Sequence, residues 1–445
     1  MFRLMPKPNP GKRKHKCKFG ENQCIGKTGR SCEKGRSNWR PPALVRLFRH
    51  AAQENRSDLG VGCVFLKFMR IERIELRHLQ VPLKEPFESN CTRYLVKDCV
   101  LVKVYSDGMT GFAESVARPG PFYSSETVGT VWHILRDFLI PRVLATEILH
   151  PDQVAGLFGN IRGNKMATAA LEGAIWDLWC RQNGISLSKA LGGTRREIEV
   201  GVSLGIEPTV SRLLQSVHKY VDQGYKRIKI KIKPGYDVEY MRAVREEFGN
   251  SLPLMADANS AYTLRDLPLL EELDGLGLMM IEQPLAYDDI IDHSVLQQAL
   301  KTPICLDESI HSLEDARKAV ELGSCQIINI KIGRVGGLLE ARRIHDWCAR
   351  RGIPVWCGGM TELGVGRAHN IALASLPYFS LPGDTSASHR SFNEDIVDPP
   401  IDFLRPGVLA VPQNPGLGFE VIESAVRRFT LREEVLAAPS VPVHA

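Results

Sequence analysis

The sequence predicts a parallel α/β barrel that follows an α+β domain, and three observations support this prediction. Short apolar segments recur at nearly constant spacing after residue 195. Several of them end in charged residues, which a barrel would gather at one end of its strands. The region from residue 69 to about 195 instead alternates apolar and polar residues, as antiparallel strands do, before helix-like stretches begin.

Each repeated segment is an apolar run that ends in a polar residue or a glycine and is followed by a helix-like stretch. The end positions are Ser203, Lys231, Asp257, Glu282, Asp307, Lys331, Gly358 and Asp384. The gaps between them are 28, 26, 25, 25, 24, 27 and 26 residues. A strand and helix unit of this length is typical of a β/α barrel. A doubly wound sheet is the alternative, but no strand here is followed by a G-x-G-x-x-G turn.

The second segment reads IKIKIKPG over residues 228–235, so its isoleucines share one strand face and its lysines share the other. Taken alone, this alternation is typical of a half-exposed strand whose lysines meet water. In a barrel the outer strand face packs on helices. We therefore expect the isoleucines to lie outside and Lys229 and Lys231 to point inward near the carboxyl end of the strand.

Three consecutive segments end in the carboxylates Asp257, Glu282 and Asp307. A single acid at such a position commonly caps the next helix. Three acids on adjacent strands would repel one another, and a hard divalent cation relieves that repulsion through oxygen ligands. We therefore expect a metal site, with Mg²⁺ as the natural ion and Mn²⁺ or another divalent metal as a substitute.

Lysines flank the three acids, because Lys231 and Lys331 end the second and sixth segments, which face each other across an eight-stranded barrel. We expect burial and nearby cations, Lys229 on one side and Arg334 on the other, to lower the lysine pKa values toward working pH. A metal-bound substrate carboxylate would make the hydrogen on the adjacent carbon removable through an enediolate. Whether a proton returns or a leaving group departs is left open.

The net charge of +6 is an average over two unlike regions. Residues 1–68 hold 16 Lys and Arg against 4 Asp and Glu, so this segment carries +12 and the remainder carries −6. We expect residues 1–68 to form a poorly ordered basic extension, and we hypothesise that Met69 is the natural start. No apolar stretch reaches membrane-span length, and the 11 cysteines, several inside apolar segments, favour a reducing cytoplasm.

Six stretches together resemble the enolase superfamily, in its muconate lactonizing enzyme subgroup: IKIKIKPGYD, MADAN, MIEQPL, CLDESI, NIKIGRVGG and VWCGGMTELGVGR. The most similar family is that of N-acylamino acid racemase and o-succinylbenzoate synthase. The resemblance covers Met69 to about Glu423. It implies a modified TIM barrel, (β/α)7β, over residues 196–399, and an α+β capping domain over 69–195 that part of 400–445 completes.

The resemblance also implies roles for individual residues. Asp257, Glu282 and Asp307 would bind Mg²⁺, Lys231 and Lys331 would form the acid/base pair, and Lys229 would tune Lys231. The substrate would contact Ser203, Asn259, Gly359, Met360 and Thr361, with Arg334 and Glu308 around the site. Capping loops at 85–93 and 118–123 would close over the mouth. Thr361 stands where a larger aliphatic residue is often found, and Ile332 where proline is frequent, so the acyl group and side chain of the substrate stay open.

The expected activity is racemisation of N-acylamino acids, N-succinyl forms first, or dehydration to o-succinylbenzoate in menaquinone biosynthesis, or both. Muconate cycloisomerisation and dipeptide epimerisation are the alternatives within the subgroup, although PGDTSAS offers only Asp384 to hold a free ammonium. A non-enzymatic binding protein with a nucleic-acid-binding head is the alternative of a different class. We expect a homo-oligomer that acts on a small carboxylate, with no membrane partner and no nucleic acid bound by residues 69–445.

Overall fold

The computed structural model of this chain describes residues 68–438. The expectations of a basic extension over residues 1–68 and of a natural start at Met69 therefore concern a segment outside this range, except for Phe68. Within residues 68–438 no helix combines the length and apolar character needed to cross a membrane.

The N-terminal region is an antiparallel meander, as the alternation of its residues predicts. The strand β1 (Met69–Arg70) precedes the meander and pairs with Glu147–Ile148. The meander strands are β2 (Arg73–Glu88), β3 (Arg93–Ser106) and β4 (Met109–Ser115). Asp107 and Gly108, which join β3 to β4, both have positive φ angles, of 52° and 74°. A tight two-residue hairpin turn needs such angles, and Asp-Gly supplies them at low cost. The last strand of the chain, Thr430–Ala437, pairs with β2 and extends the same sheet.

Short helices and one long helix follow this meander. They are α1 (Val128–Ile134), a π-helical turn (Leu135–Leu139), α2 (Ile140–Leu144), β5 (Glu147–Ile148), a 3₁₀ turn (Pro151–Gln153), α3 (Val154–Leu157), α4 (Lys165–Gln182) and α5 (Leu187–Leu191). The spacing of Ala170, Ala174 and Leu178 predicts one apolar face on α4. In fact α4 is buried around most of its circumference, because β4 packs on one side of it and Ile332–Val335 on another.

The central region contains the parallel strands and the helices that cover them. The strand β6 (Glu197–Glu199) comes first and pairs antiparallel with Val408–Ala410. The parallel strands are β7 (Val202–Leu204), β8 (Ile228–Lys231), β9 (Leu254–Asp257), β10 (Ile281–Glu282), β11 (Ile304–Leu306), β12 (Ile327–Ile330) and β13 (Val355–Cys357). The helices are α6 (Val210–Asp222), α7 (Val238–Phe248), a 3₁₀ turn (Leu264–Asp266), α8 (Leu267–Asp274), α9 (Ile291–Ala299), α10 (Leu313–Leu322), α11 (Ile332–Val335), α12 (Leu338–Ala349) and α13 (Gly364–Ala374). Strands β7 to β13 form one seven-stranded parallel sheet in chain order.

The eighth predicted segment, FSLPGDT, differs from the expectation because it does not form a regular strand. Phe379 and Gly383 make single parallel bridges, to Val355 and Val200 respectively. Asp384 N also donates to the Cys357 carbonyl at 3.0 Å. Pro382, which lacks an N–H group, lies between the bridges and cannot continue a ladder. The segment therefore joins β13 to the start of β7 and closes the (β/α)7β barrel with few bonds.

The two faces of the barrel strands bury different side chains. Outward residues such as Ile228, Ile230 and Leu254 pack with the helices in the main core. A separate inward cluster consists of Met255, Met280, Cys305, Ile327 and Trp356. Because successive side chains on a strand alternate, this apolar cluster and the charged strand ends share the barrel interior.

The remaining elements follow the barrel. They are a 3₁₀ turn (Ser388–Arg390), β14 (Val397–Asp398), β15 (Phe403–Arg405), β16 (Val408–Ala410), β17 (Glu420–Val421), α14 (Glu423–Phe429) and β18 (Thr430–Ala437). The domain boundaries at 69–195 and 196–399 stay a prediction. The pairing of β18 with β2 is the route by which the tail reaches the N-terminal sheet.

Candidate active site

A cavity lies at the carboxyl ends of the barrel strands, between the barrel and the N-terminal region. Its walls include the predicted residues Ser203, Lys229, Lys231, Asn259, Lys331, Gly359, Met360 and Thr361. The N-terminal region contributes Phe87, Ser89, Tyr94, Arg118 and Tyr123. The predicted metal ligands do not line the cavity, but they contact the lysines that do.

Strand register brings the charged side chains together. Lys231 pairs with Asp257 across β8 and β9, and Asp257 pairs with Glu282 across β9 and β10. Asp307 follows β11, two residues beyond Cys305, which pairs with Glu282. Side chains two residues apart on a strand share a face, so all these groups point into the barrel.

The two lysines from opposite sides of the barrel each bind a different acid. Lys231 Nζ donates to Asp257 Oδ2 at 2.5 Å and to Asn259 Oδ1 at 2.6 Å. Lys331 Nζ donates to Asp307 Oδ2 at 2.7 Å and to the Tyr123 hydroxyl at 2.9 Å. Tyr123 comes from the second capping loop, so that loop does reach the mouth of the barrel.

Lys229 lies at the centre of an acidic network. Its Nζ is 2.6 Å from Asp384 Oδ2, 3.0 Å from Glu282 Oε2 and 3.1 Å from Asp257 Oδ2. Arg227 also pairs with Asp384. Lys229 thus shares the Asp257 carboxylate with Lys231, and this shared acid is the structural link between the two lysines.

Arg334 and Glu308 surround the site, as expected. Arg334 pairs with Asp307, donates from Nε to the Ile310 carbonyl at 2.9 Å and donates from Nη2 to the Asn329 carbonyl at 2.8 Å. Glu308 Oε1 accepts a hydrogen bond from Asn259 Nδ2 at 2.8 Å. Both residues therefore hold groups that contact the reactive lysines or their acids.

The expectation of a lowered lysine pKa is wrong for Lys331 in this arrangement. Burial lowers the pKa of Lys331, but Asp307 and Tyr123 outweigh it, and the pKa stands well above its ordinary value. The pKa of Lys229 is also raised, because Asp384, Glu282 and Asp257 together outweigh burial. In both cases the nearby acids raise the lysine pKa more than burial and neighbouring cations lower it.

The three acids differ in pKa because their partners differ. Burial raises the pKa of Asp307, but Arg334 and Lys331 outweigh it and hold that pKa well below its ordinary range. Lys231 and Lys229 likewise overcome burial and lower the pKa of Asp257. Burial and the charge of Asp257 instead raise the pKa of Glu282 to about 8. Glu282 is therefore the carboxylate whose negative charge is least compensated.

The donor set fits a hard divalent cation in its chemistry. Within residues 68–438 no three acidic, histidine or cysteine side chains converge closely enough to hold a metal ion as they are arranged. Asp257, Glu282 and Asp307 instead surround lysine and arginine groups. These buried oxygen donors come from adjacent strands, and the raised pKa of Glu282 marks an uncompensated charge that a cation would relieve.

Unusual backbone angles occur where the strands end. Asn259, Ser260, Gln283 and Thr361 have positive φ angles of 41°, 64°, 37° and 60°. Such angles are unfavourable for residues with a β-carbon, and they concentrate at functional sites. Two of these positions are held by hydrogen bonds. Gln283 Oε1 accepts a hydrogen bond from Asp307 N at 3.0 Å. Lys97 Nζ donates to the carbonyl of Met360, the residue before Thr361, at 3.3 Å.

Three residues of the site were missed by reasoning from the sequence. Arg227 continues the inward face of the lysine strand, two residues before Lys229, so the alternation could have revealed it. Asn329, two residues before Lys331, donates to Glu282 Oε1 at 2.8 Å and could have been found in the same way. Tyr123 belongs to a loop expected to close the mouth, but no local signal marks its hydroxyl as a partner of Lys331.

Comparisons with known proteins identify the family of this chain. The family described as "Enolase C-terminal domain-like" matches residues 212–425, and "Mandelate racemase / muconate lactonizing enzyme, N-terminal domain" matches residues 73–192. The o-succinylbenzoate synthase of Geobacillus kaustophilus is 57% identical over 363 residues, which are 81% of this chain and 96% of that protein. The N-succinylamino acid racemase of an Amycolatopsis species is 48% identical over 362 residues, 81% of this chain and 98% of that one.

A solved structure leads to the same family. The crystal structure of an enolase-superfamily protein from Listeria innocua matches with a TM-score of 0.80 and 44% identity, covering 83% of this chain and 100% of the other. The similarity thus extends through both the N-terminal region and the barrel. The chain belongs to the enolase superfamily, in the subgroup of the muconate lactonizing enzymes.

Proposed function

We propose that this chain is a divalent-metal-dependent enzyme that removes the proton on the carbon next to a substrate carboxylate. One observation carries the proposal: Lys231 on the second strand of the sheet and Lys331 after the sixth line the same cavity. Two amines that approach one carbon from opposite walls can take a proton from either face and return it to the other.

The metal would be held by Asp257, Glu282 and Asp307, with Mg²⁺ as the preferred ion. When bound, it supplies positive charge that stabilises the enediolate of the substrate. The raised pKa of Glu282, about 8, supports this assignment because that carboxylate lacks sufficient compensation from the protein alone.

The chain's own residues position the two bases. Asp257 and Asn259 hold Lys231, whereas Asp307 and the Tyr123 hydroxyl hold Lys331. Each lysine must lose a proton before it can act as a base, so its acidic partner has to be drawn away from it. A cation that shares Asp257 or Asp307 would weaken that hold and lower the lysine pKa.

The proposed reaction is racemisation of N-succinylamino acids, dehydration to o-succinylbenzoate, or both. The relatives described above bear one or the other name, and both reactions need the same enediolate. In the dehydration, one lysine would remove the proton and the opposite ammonium would stabilise the negative charge. The C–O bond would then break, and the departing hydroxide would take a proton from a lysine ammonium and leave as water. Ser203, Gly359, Met360 and Thr361 would contact the rest of the substrate, which is a small carboxylate.

Dipeptide epimerisation is the less favoured reaction. It needs acids that are free to bind the ammonium of a dipeptide, and Asp384 is already paired with Arg227 and Lys229. Muconate cycloisomerisation stays an alternative within the subgroup. A cytoplasmic location and a homo-oligomeric state also stay predictions.

Deuterium exchange tests the proposal. The purified chain would be incubated in D₂O with Mg²⁺ and the separate enantiomers of N-succinylmethionine, and exchange at the α-carbon would be followed by NMR. We expect exchange that requires the metal and is abolished by EDTA. Absence of exchange together with dehydration of the o-succinylbenzoate precursor would identify a synthase alone. Absence of both activities would refute the proposed function.

A further inference from the structure

Arg118 is a cavity residue with no role in the proposed chemistry so far. It follows β4 at the start of the second capping loop, and its backbone makes a bridge to Thr127, which lies just beyond that loop. Its guanidinium carbon lies 3.7 Å from the centroid of the Tyr94 ring and 6.0 Å from that of Tyr123. Stacking on Tyr94 fixes the plane of the guanidinium, and that plane lies at the cavity wall.

The positive charge of Arg118 is not matched by an acid. Among residues 68–438 its side chain makes no ion pair and no hydrogen bond, and its Nε is buried without a partner. The lysines of the same cavity differ, because Lys229, Lys231 and Lys331 each pair with a carboxylate. Glu362 is the acid that acts on Arg118 at longer range, but its Oε1 already accepts a hydrogen bond from Met360 N.

A half-buried cation that has aromatic neighbours, a buried unpartnered Nε and no acidic partner among the described residues is costly unless a ligand supplies the anion. A guanidinium with free N–H groups matches a carboxylate in both charge and shape. Arg118 is also close to the reacting centre, because it lies over the Tyr123 ring and the Tyr123 hydroxyl is 2.9 Å from Lys331 Nζ. A carboxylate several bonds from the reacting carbon would therefore reach it.

We infer that Arg118 binds a second carboxylate of the substrate, distinct from the one beside the carbon that loses its proton. This inference rests on the proposed function and makes dianions the preferred substrates. The second carboxylate has two chemical sources, the end of a dicarboxylic acyl arm or the side chain of an acidic amino acid. Arg118 is then a specificity-determining residue from the N-terminal region rather than a base.

Arg390 is the natural comparison, since it is a cavity cation without an acidic partner in the described part of the chain. Its Nη2 donates to the Ser203 carbonyl at 3.1 Å, and its guanidinium carbon lies 4.9 Å from the centroid of the Tyr220 ring. The barrel therefore already uses part of the Arg390 guanidinium, whereas within the described residues the Arg118 guanidinium has only stacking contacts. This difference favours Arg118 as the anion-binding group.

The test compares Arg118→Met and Arg390→Met on three substrates of similar size. N-succinylmethionine carries the second carboxylate on the acyl arm, N-butanoylglutamate carries it on the side chain, and N-butanoylmethionine has none. We expect Arg118→Met to lower kcat/KM about 10- to 100-fold on one of the two dianions, mainly through KM, with less than about a 3-fold change on N-butanoylmethionine. Arg118→Lys should recover part of the loss. The affected dianion identifies the source of the carboxylate.

Equal losses on all three substrates, or no loss on any, would overturn the inference, as would a selective loss in Arg390→Met with none in Arg118→Met. Calorimetric affinities of the same three compounds for wild type and Arg118→Met measure binding independently of turnover. If wild type shows neither exchange nor dehydration, the proposed function fails. In that case, a weaker affinity of Arg118→Met than of wild type for a dianion would still support the binding role of Arg118. Equal affinities of the two proteins would refute it.

Discussion

Two groups of buried carboxylates show how the partner of an acid decides its role. Asp257 and Asp307, at the strand ends, accept hydrogen bonds from lysine ammonium groups. Glu114 and Glu172, in the N-terminal region, accept them from backbone N–H groups at the start of barrel helices. Glu172 binds Leu338 N at 2.5 Å and Leu339 N at 3.0 Å.

Glu114 has a similar arrangement at a second barrel helix, although Lys97 Nζ also lies 3.8 Å from its Oε1. It accepts from Leu363 N at 3.1 Å and Gly366 N at 3.3 Å, at the start of α13. Burial raises the pKa of Glu114 to about 8 and that of Glu172 to about 7. Backbone amides cannot rotate away, whereas a lysine side chain can, and its movement would free the acid for a metal and the amine for a substrate. The backbone-bound acids therefore join two regions, and the lysine-bound acids can take part in chemistry.

Removal of either strand-end lysine should produce the largest effect. We expect Lys231→Ala and Lys331→Ala to lower racemisation about 10³-fold or more, because general acid/base groups contribute about 10²- to 10⁴-fold. Since the lysines face opposite sides of the substrate, each variant should retain α-carbon exchange with only one enantiomer, and the two variants should differ in which one.

Lys233→Ala is the matched control for this prediction. Lys233 belongs to the same run of lysines but pairs with Glu88 at 3.2 Å instead of with the buried acids. Its removal should change exchange less than about 3-fold. An equal loss in Lys233→Ala, or loss of exchange with the same enantiomer in both active-site variants, would contradict the assignment of two opposed bases.

Glu282→Gln should separate activity from stability. The amide can still accept the hydrogen bond from Asn329, and Lys229 keeps Asp257 and Asp384 as partners. We therefore expect the free energy of unfolding without metal to change by less than about 1 kcal/mol. Mg²⁺ affinity by calorimetry and Mg²⁺-dependent exchange should fall by about 10²-fold or more. An unchanged Mg²⁺ affinity would argue against Glu282 as a ligand.

Glu172→Gln should change stability but not activity, which is the opposite of Glu282→Gln. The pKa of Glu172 is about 7 in the folded chain against an ordinary value of 4.5, so the folded state binds more protons between these values. The free energy of unfolding contributed by this group therefore falls as pH rises through that window, by roughly 3 kcal/mol at most.

Denaturant unfolding at several pH values checks this prediction, with wild type and Glu172→Gln compared at each pH so that other titrating groups cancel. Relative to wild type, the variant should gain roughly 3 kcal/mol at most between pH 4.5 and pH 7.5, because only wild type loses stability in that window. Exchange activity of the folded variant should be retained. Parallel stability curves for the two proteins would contradict the raised pKa.

The smallest effect should come from a helix cap made by a local side chain. Thr127 Oγ1 accepts from Thr130 N at 3.2 Å at the exposed start of α1. Thr127→Ala should reduce the free energy of unfolding by about 1 kcal/mol, without a change in exchange rate. For Glu172→Ala, which removes a cap supplied from another region, we expect a loss of about 2 to 4 kcal/mol. A loss as large in Thr127→Ala would mean that caps from local and from distant residues stabilise the chain equally.

Reasoning from the sequence succeeded where a pattern repeats along the chain. The barrel segments, the meander and the positions of Asp257, Glu282 and Asp307 follow from spacing and alternation alone. The eighth segment did not form a strand because Pro382 interrupts its ladder. The burial of α4 on most sides was not predictable from its own residues, since it depends on which elements pack around it.

The sequence by itself determined the order of strands, the inward alternation of the lysines and the set of acids at the strand ends, because these depend on local periodicity. Only the tertiary structure decided which ammonium binds which carboxylate, that Tyr123 reaches Lys331 and that Arg118 pairs with no acid among residues 68–438. Such pairings join residues far apart in the chain, and their pKa values depend on burial and on distances that no local pattern encodes.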